Sequence, residues 1–302
     1  MNKSSEWIFY GILGTLSFGV FGFSVKFSTM EPYVSNFLMQ LLSLAVSLFI
    51  YLAFLRKETI KFSKSGSIAG IFATTGTLIL LYTVSINKLI VTYPFAAMAG
   101  LVFLLASLFY YKLKFRPRQI QVLLLGLAVS IFGLFLAVAG SAGGLVLLLS
   151  NIGGSFSFVS FGLGIMLFWG LCSFFWFKAI VKEKVNISSF LISMTASATV
   201  ASFVGMLLLS SGLNLAVDST LSFILIAGIF MGIGLYFISN GFKFSEPQSK
   251  AQSLILAILA NGEIIPITIL ALLFLNEYSL EAIIGVASTI IGITLINYSE
   301  SV

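Results

Sequence analysis

The chain predicts an all-α integral membrane protein: ten transmembrane helices in two inverted five-helix repeats, with both termini in the cytoplasm. Three observations predict it. The 302 residues are 59% apolar and only 9% charged, with a mean hydropathy of +1.11, whereas soluble domains carry roughly 25% charged residues. Apolar stretches long enough to cross a bilayer recur ten times. The lysines and arginines between them fall almost wholly on alternate loops.

The expected spans are Trp7–Phe27, Tyr33–Leu55, Ser67–Ile86, Leu89–Tyr111 and Gln119–Ala139, then Phe158–Phe177, Ser188–Ser210, Leu221–Asn240, Ala251–Leu275 and Glu281–Tyr298. The N-terminal stretch runs into a full-length span without a small-residue cleavage site, so it reads as a retained first helix. Residues 1–140 form the first repeat, 141–157 a linker and 158–302 the second repeat. The linker is rich in glycine and serine but contains Leu147, Leu148 and Leu149, which fits a short interfacial segment. With the N-terminus inside, Lys26 and Lys88 are the two cations left outside. Arg56, Lys57, Lys61 and Lys64, Lys112 to Arg118, Lys178 to Lys184, Lys243 and Lys250 all fall inside, a strong positive-inside bias.

The net charge of +6 therefore follows from topology and gives no reason to expect a nucleic-acid partner. The lone cysteine, Cys172, and the absence of histidine rule out an internal disulfide, a Cys/His zinc site and a histidine proton relay. No metal site and no cofactor is expected. No Gly-x-x-x-x-Gly-Lys-Ser/Thr loop is present, which excludes ATP drive through such a loop within this chain.

The halves echo each other. Gly126 and Gly133 in the fifth span match Gly285 and Gly292 in the tenth, and Tyr82–Ser85 resembles Tyr236–Ser239. Five spans per half is odd, so the second half enters the membrane inverted, as in many secondary transporters. The glycine pairs, with Gly228 and Gly232, read as sites of close helix approach.

The stretch from Asn261 through Glu263, Pro266, Asn276 and Glu277 to Gly285 resembles the drug/metabolite transporter superfamily, in its EamA-like ten-helix branch. There the region reads as a carboxylate-proline pair, an apolar helix, a Leu-Gly-Glu turn and a glycine-marked last helix. Glu263 falls on the carboxylate and Asn276-Glu277 on the turn. Lys26 before Glu31 and Pro32 resembles the lysine closing the family's first helix. Pro266 stands two residues later than the family proline, Lys112 and Lys114 replace an acid, and Met39 and Gln40 stand where an arginine is common. The resemblance implies a metabolite carrier, and these departures make a site suited to anions less expected.

Glu263 is the most informative single residue. It lies about twelve residues from either end of its span, near the bilayer midplane at roughly 1.5 Å per residue. A charge there costs at least ~2.5 kcal/mol on insertion scales, which makes it a candidate for binding a substrate amine or carrying a coupling proton. The structural alternative is a protonated acid bonding Asn261 or a carbonyl. Asn261, Asn36, Gln40, Tyr82, Trp169, Tyr236 and Asn240 complete the candidate substrate site. Asn36 and Gln40 share one helix face, as do Trp169 and Trp176. Trp7, and Trp176 beside Lys178, fit interface anchors. Lys26 and Glu31 stand at the expected outer mouth.

The expected activity is secondary transport of a small organic metabolite, an amino acid or amine-like solute, by alternating access across the cell membrane, with proton coupling through Glu263. The expected partners are that solute, protons and the lipid bilayer, in a monomer or homodimer. A channel-like permease and an intramembrane lipid-modifying enzyme are the alternatives. No catalytic residues are expected, because one deep acid and no histidine make no catalytic cluster.

Overall fold

The computed structural model describes residues 6–86, 89–111, 116–141, 152–209, 220–244, 264–275 and 279–298. Their regular structure is helical throughout, joined by short turns, with no strand among the described residues. The helices are α1 (Glu6–Val25), α2 (Pro32–Ile50), α3 (Lys64–Ile86), α4 (Leu89–Ala97), α5 (Ala99–Tyr111), α6 (Pro117–Ser141), α7 (Ile152–Phe177), α8 (Ile187–Leu209), α9 (Leu221–Phe244), α10 (Ile264–Leu270) and α11 (Leu280–Tyr298). Single π-helical turns continue α2 (Tyr51–Leu55), α7 (Lys178–Lys182) and α10 (Ala271–Leu275).

Helix starts have local causes. Ser63 Oγ accepts the Gly66 N–H at 3.0 Å, Asn186 Oδ1 the Ser189 N–H at 2.8 Å and Ser279 Oγ the Ala282 N–H at 3.0 Å. Each pairs an N-cap side chain with the third residue of its helix. Pro32 and Pro117 occupy first helical positions, where a missing N–H costs nothing. Gln119 reaches back to the Arg116 N–H at 2.8 Å, half of a capping box.

Seven of these helices are long and apolar enough to cross a membrane: α1, α2 with its π-turn, α3, α6, α7 with its π-turn, α8 and α9. Phe54, Phe109, Leu208 and Leu273 stand exposed around the bundle, as expected of a surface that meets lipid. The chain is a membrane protein by this measure. Two expected boundaries differ. The span Leu89–Tyr111 is broken at Met98, where the Leu101 N–H bonds back to the Met98 carbonyl three residues away at 2.9 Å, a tighter turn between α4 and α5. Helix α7 begins at Ile152 rather than Phe158, so six residues assigned to the linker are helical. Their glycines and serines, read as a break, are tolerated inside membrane helices. The expected span Ala251–Leu275 lies outside the described residues up to Glu263.

Helix directions follow from side-chain pairings. Helices α6 and α11 run antiparallel, with Gly133 against Gly285 and Gly126 against Gly292. Helix α9 runs antiparallel to α1, pairing Tyr10 with Phe244 and Phe27 with Phe223. Helix α7 runs antiparallel to α3, pairing Phe72 with Phe175 and Tyr82 with Phe161. Helix α8 lies parallel to α3, and α9 parallel to α2, where Gly228 meets Met39 and Gly232 meets Ser43 and Val46. The chief core cluster joins Phe21, Leu80, Tyr93, Ile165, Met231 and Val286, drawing on helices from both ends of the sequence.

Candidate functional site

Helices α1, α3, α7, α8 and α9 surround a central cavity of about 70 Å³, room for several waters. Helix α7 supplies its longest wall. Trp169, Cys172, Ser173 and Trp176 recur at helical spacing on one face. Seven residues at 1.5 Å each set the two indoles about 10 Å apart along the helix. Phe18 and Phe21 close the α1 side, Met194 and Met231 the α8 and α9 sides. Thr77 and Ser173 contribute hydroxyls, and among the described residues no charged side chain lines the wall. Such a chamber, apolar with few polar groups, suits a small organic ligand.

Trp176 is a floor and not an interface anchor. It is 7% exposed, its Nε1 donates to Ser239 Oγ at 3.1 Å and its ring stacks on Phe190 at 5.6 Å. Trp7 is buried as well. Both expectations of interface anchoring fail because these indoles find packing partners on distant helices.

Below that floor, α3 and the loop before it are bonded to the first half of α8. Ser197 Oγ donates to the Ser67 carbonyl at 2.9 Å, Ser63 N–H to Ser193 Oγ at 3.0 Å, and Lys61 N–H to Ser189 Oγ at 2.8 Å. Asn186 Nδ2 donates to the Thr59 carbonyl at 2.8 Å. At Gly70 the backbone of α3 reaches the Met194 carbonyl so closely that a Cβ would collide with it. Two acids at this end, Glu58 and Glu183, bind across the seam. Glu183 accepts from Ser65 at 2.8 Å and pairs with Lys178 at 3.5 Å. Glu58 accepts from both the N–H and the hydroxyl of Ser188 at the start of α8, and pairs with Lys243 at 3.6 Å.

Burial pushes the Glu58 carboxyl upward, but the Ser188 hydrogen bonds and the Lys243 charge outweigh it and hold the group below its ordinary value. A carboxylate with a depressed folded pKa stabilises above its unfolded pKa, and that contribution fades as pH falls through the folded one. Glu58→Gln should therefore cost about 1–2 kcal/mol at neutral pH, the worth of a charge-assisted bond discounted for partial exposure. In melting curves the wild-type advantage should persist down to about pH 4.5 and shrink below it. An advantage unchanged at pH 3 would contradict this assignment.

The expected site residues fall in several places. Trp169 lines the cavity. Asn36 and Gln40 do share a face of α2, buried and turned inward. Asn36 Nδ2 donates to Thr74 Oγ1 at 3.0 Å and to the Thr74 carbonyl at 3.2 Å, and Gln40 Nε2 reaches Asn36 Oδ1 at 3.4 Å. Gln40 Oε1, Ser43 Oγ and Ser47 Oγ on the same stripe have no hydrogen-bond partner among the described residues. These groups stand behind the cavity wall, not in it. Tyr82 is 41% exposed, its ring 6.4 Å from Tyr33 and 6.2 Å from Phe161. Asn240 Nδ2 donates to the Tyr236 carbonyl at 2.9 Å, within α9. Lys26 Nζ donates to the Val84 carbonyl at 3.1 Å, tying the ends of α1 and α3. Glu31 sits at the N-cap position of α2 without a side-chain capping bond. Glu263, Asn261 and Glu277 lie outside the described residues.

Sequence reasoning missed Phe18, Phe21, Thr77, Met194, Met231 and Leu235. Apolar residues in apolar helices carry no mark of facing a cavity. The helical spacing of Trp169 and Trp176 was the one available signal.

No protein-family model matches the chain, and no curated protein does either. Twenty-one chains of solved structure match it. One of them, described only as the crystal structure of a protein, is 16% identical, with a TM-score of 0.66 over 97% of this chain and 96% of its own. At that identity the likeness speaks for the fold alone, and over nearly the full length of both chains.

Proposed function

We propose that this protein is a secondary carrier of the cell membrane, built as two inverted five-helix repeats with ten spans, that moves a small amine-bearing or amino-acid-like metabolite by alternating access. It is a carrier in this reading and not an enzyme, related to the EamA-like branch of the drug/metabolite transporters. The observation that carries it is a central cavity, bounded at the basic end by the α3–α8 seam, in a bundle where helix contacts of one half have counterparts in the other.

That exchange is specific. The pairing of α1 with α9 has its counterpart in α7 with α3, α3 with α8 in α9 with α2, and α5 with α7 in α10 with α1. The α6–α11 and α2–α8 pairs map onto themselves. Thr199 Oγ1 donates to the Gln40 carbonyl across α2 and α8, 159 residues apart, and the same separation relates Gly126 to Gly285 and Gly133 to Gly292. Swapping the halves turns the Gly126–Gly292 approach into the Gly285–Gly133 one. Inverted-repeat carriers bind near the midplane between such halves.

The seam at the basic end supports alternation too. It consists mainly of serine-to-backbone bonds, each worth about 1 kcal/mol net. Such a seal holds in sum and opens without stranding a buried ion pair. The positive-inside bias makes it the cytoplasmic gate. Glu263, deep in its span, is the proposed proton or amine site, with Lys26 and Glu31 at the outer mouth.

Counterflow in proteoliposomes tests the proposal. Vesicles preloaded with unlabelled amines or amino acids should transiently accumulate the labelled solute, saturably, and Glu263→Gln should lower that uptake by at least tenfold. Flux without saturation or counterflow would favour a channel, and flux equal to that of empty vesicles across the panel would sink the reading.

A further inference from the structure

One residue behind the cavity wall governs how much room the wall leaves. Gly76 is buried on α3, facing the indole of Trp169. A Cβ at position 76 would fall 2.6 Å from Trp169 Nε1, 3.2 Å from Cγ and nearer still to Cδ1. The edge of the indole therefore rests in a notch that only a missing side chain leaves open. Ala73 and Thr77, small neighbours on the same helix, line the cavity beside it. On its other side Trp169 faces the cavity itself. With the α3 backbone behind the ring, any side chain at position 76 has one direction in which to displace it, into a chamber of about 70 Å³.

We propose that the Gly76–Trp169 pair sets the bore of the cavity and so the ring size of the solute it admits. Gly76 is a positioning residue that touches no solute and acts by letting the indole lie back against α3. The inference rests on the reading of this cavity as the solute site, but its geometry can be tested without any solute.

Cys172, the single cysteine of the chain, lines the same wall one helical turn beyond Trp169. Methyl and benzyl methanethiosulfonate each form a mixed disulfide with it and release methanesulfinate, so the ratio of their rates measures access by size. Gly76→Ala should leave the methyl rate within about twofold of wild type and lower the benzyl-to-methyl ratio tenfold or more. Trp169→Phe, added to Gly76→Ala, should return the ratio to its wild-type value. Gly205→Ala, at a glycine with nothing within 4 Å of its added Cβ, should change neither rate.

An unchanged ratio in Gly76→Ala would overturn the proposal, as would equal slowing of both reagents or a ratio that Trp169→Phe does not restore. Failure of even the methyl reagent on wild type would also overturn it, because no solute would then reach the wall. A chain that shows the size effect but no counterflow would lose the carrier reading and keep this one.

Discussion

Gly133→Val should be among the most damaging single substitutions in this protein. A Cβ at Gly133 would sit 2.5 Å from the Thr289 nitrogen and 2.6 Å from the Gly285 carbonyl oxygen, both backbone atoms of α11. Side chains can turn aside, but a helix backbone cannot, so the pair must separate along its length. A Cβ added at Gly285 or Gly292 would in turn fall 2.6 Å from the Gly133 or Gly126 carbonyl oxygen, and all these close approaches would be lost together. Tight packing is the main source of association between helices in lipid. Overpacking costs 1–3 kcal/mol even where neighbours can adjust, and here about 3 kcal/mol or more is expected. The readout is the melting temperature of the purified protein. Gly205→Val, in open space on α8, should stay within about 0.5 kcal/mol. Equal effects at the two positions would show that the α6–α11 contact does not hold the bundle.

The second large effect concerns function rather than stability. If the α3–α8 seam is the cytoplasmic gate, joining it covalently should arrest transport while leaving the cavity able to bind. Ser67 and Ser197 are suitable sites, since Ser197 Oγ already lies 2.9 Å from the Ser67 carbonyl. The close passage at Gly70 brings the two backbones near enough for a short link. In a Cys172→Ser background the pair Ser67→Cys and Ser197→Cys would carry the protein's two thiols. Oxidation, or a one-carbon bis-thiosulfonate, would then pin the closed seam, and a reductant would free it. The bonds replaced are weak, so the unlinked double variant should transport nearly as wild type does.

The parts of this arrangement that were legible in the sequence have local signatures. Span lengths and the alternating basic loops announced a membrane bundle. The glycine pairs at seven-residue spacing marked α6 and α11, and the structure makes Gly133, Gly285 and Gly292 points of backbone contact. Helical spacing put Asn36 with Gln40, and Trp169 with Trp176, on common faces. What failed depended on partners far along the chain. Trp176 beside Lys178 looks like an interface anchor until Phe190 and Ser239 close over it. Ser63, Ser67, Ser193 and Ser197 are ordinary small residues of apolar helices, and their seam exists because 126 to 130 residues of chain return α8 to α3. The notch at Gly76 is equally silent, since its meaning lies in an indole on another helix. The break at Met98 is silent too, because Pro94 disturbs the turn before it and not the one after.

The most direct test of the account is flux through the cross-linked Ser67→Cys/Ser197→Cys protein in proteoliposomes, measured by counterflow before and after reduction. The account predicts that the linked protein takes up no labelled solute above empty vesicles and that reduction restores uptake to at least half the wild-type rate. Undiminished uptake with the link intact would contradict it, because solute would then be crossing without opening the seam.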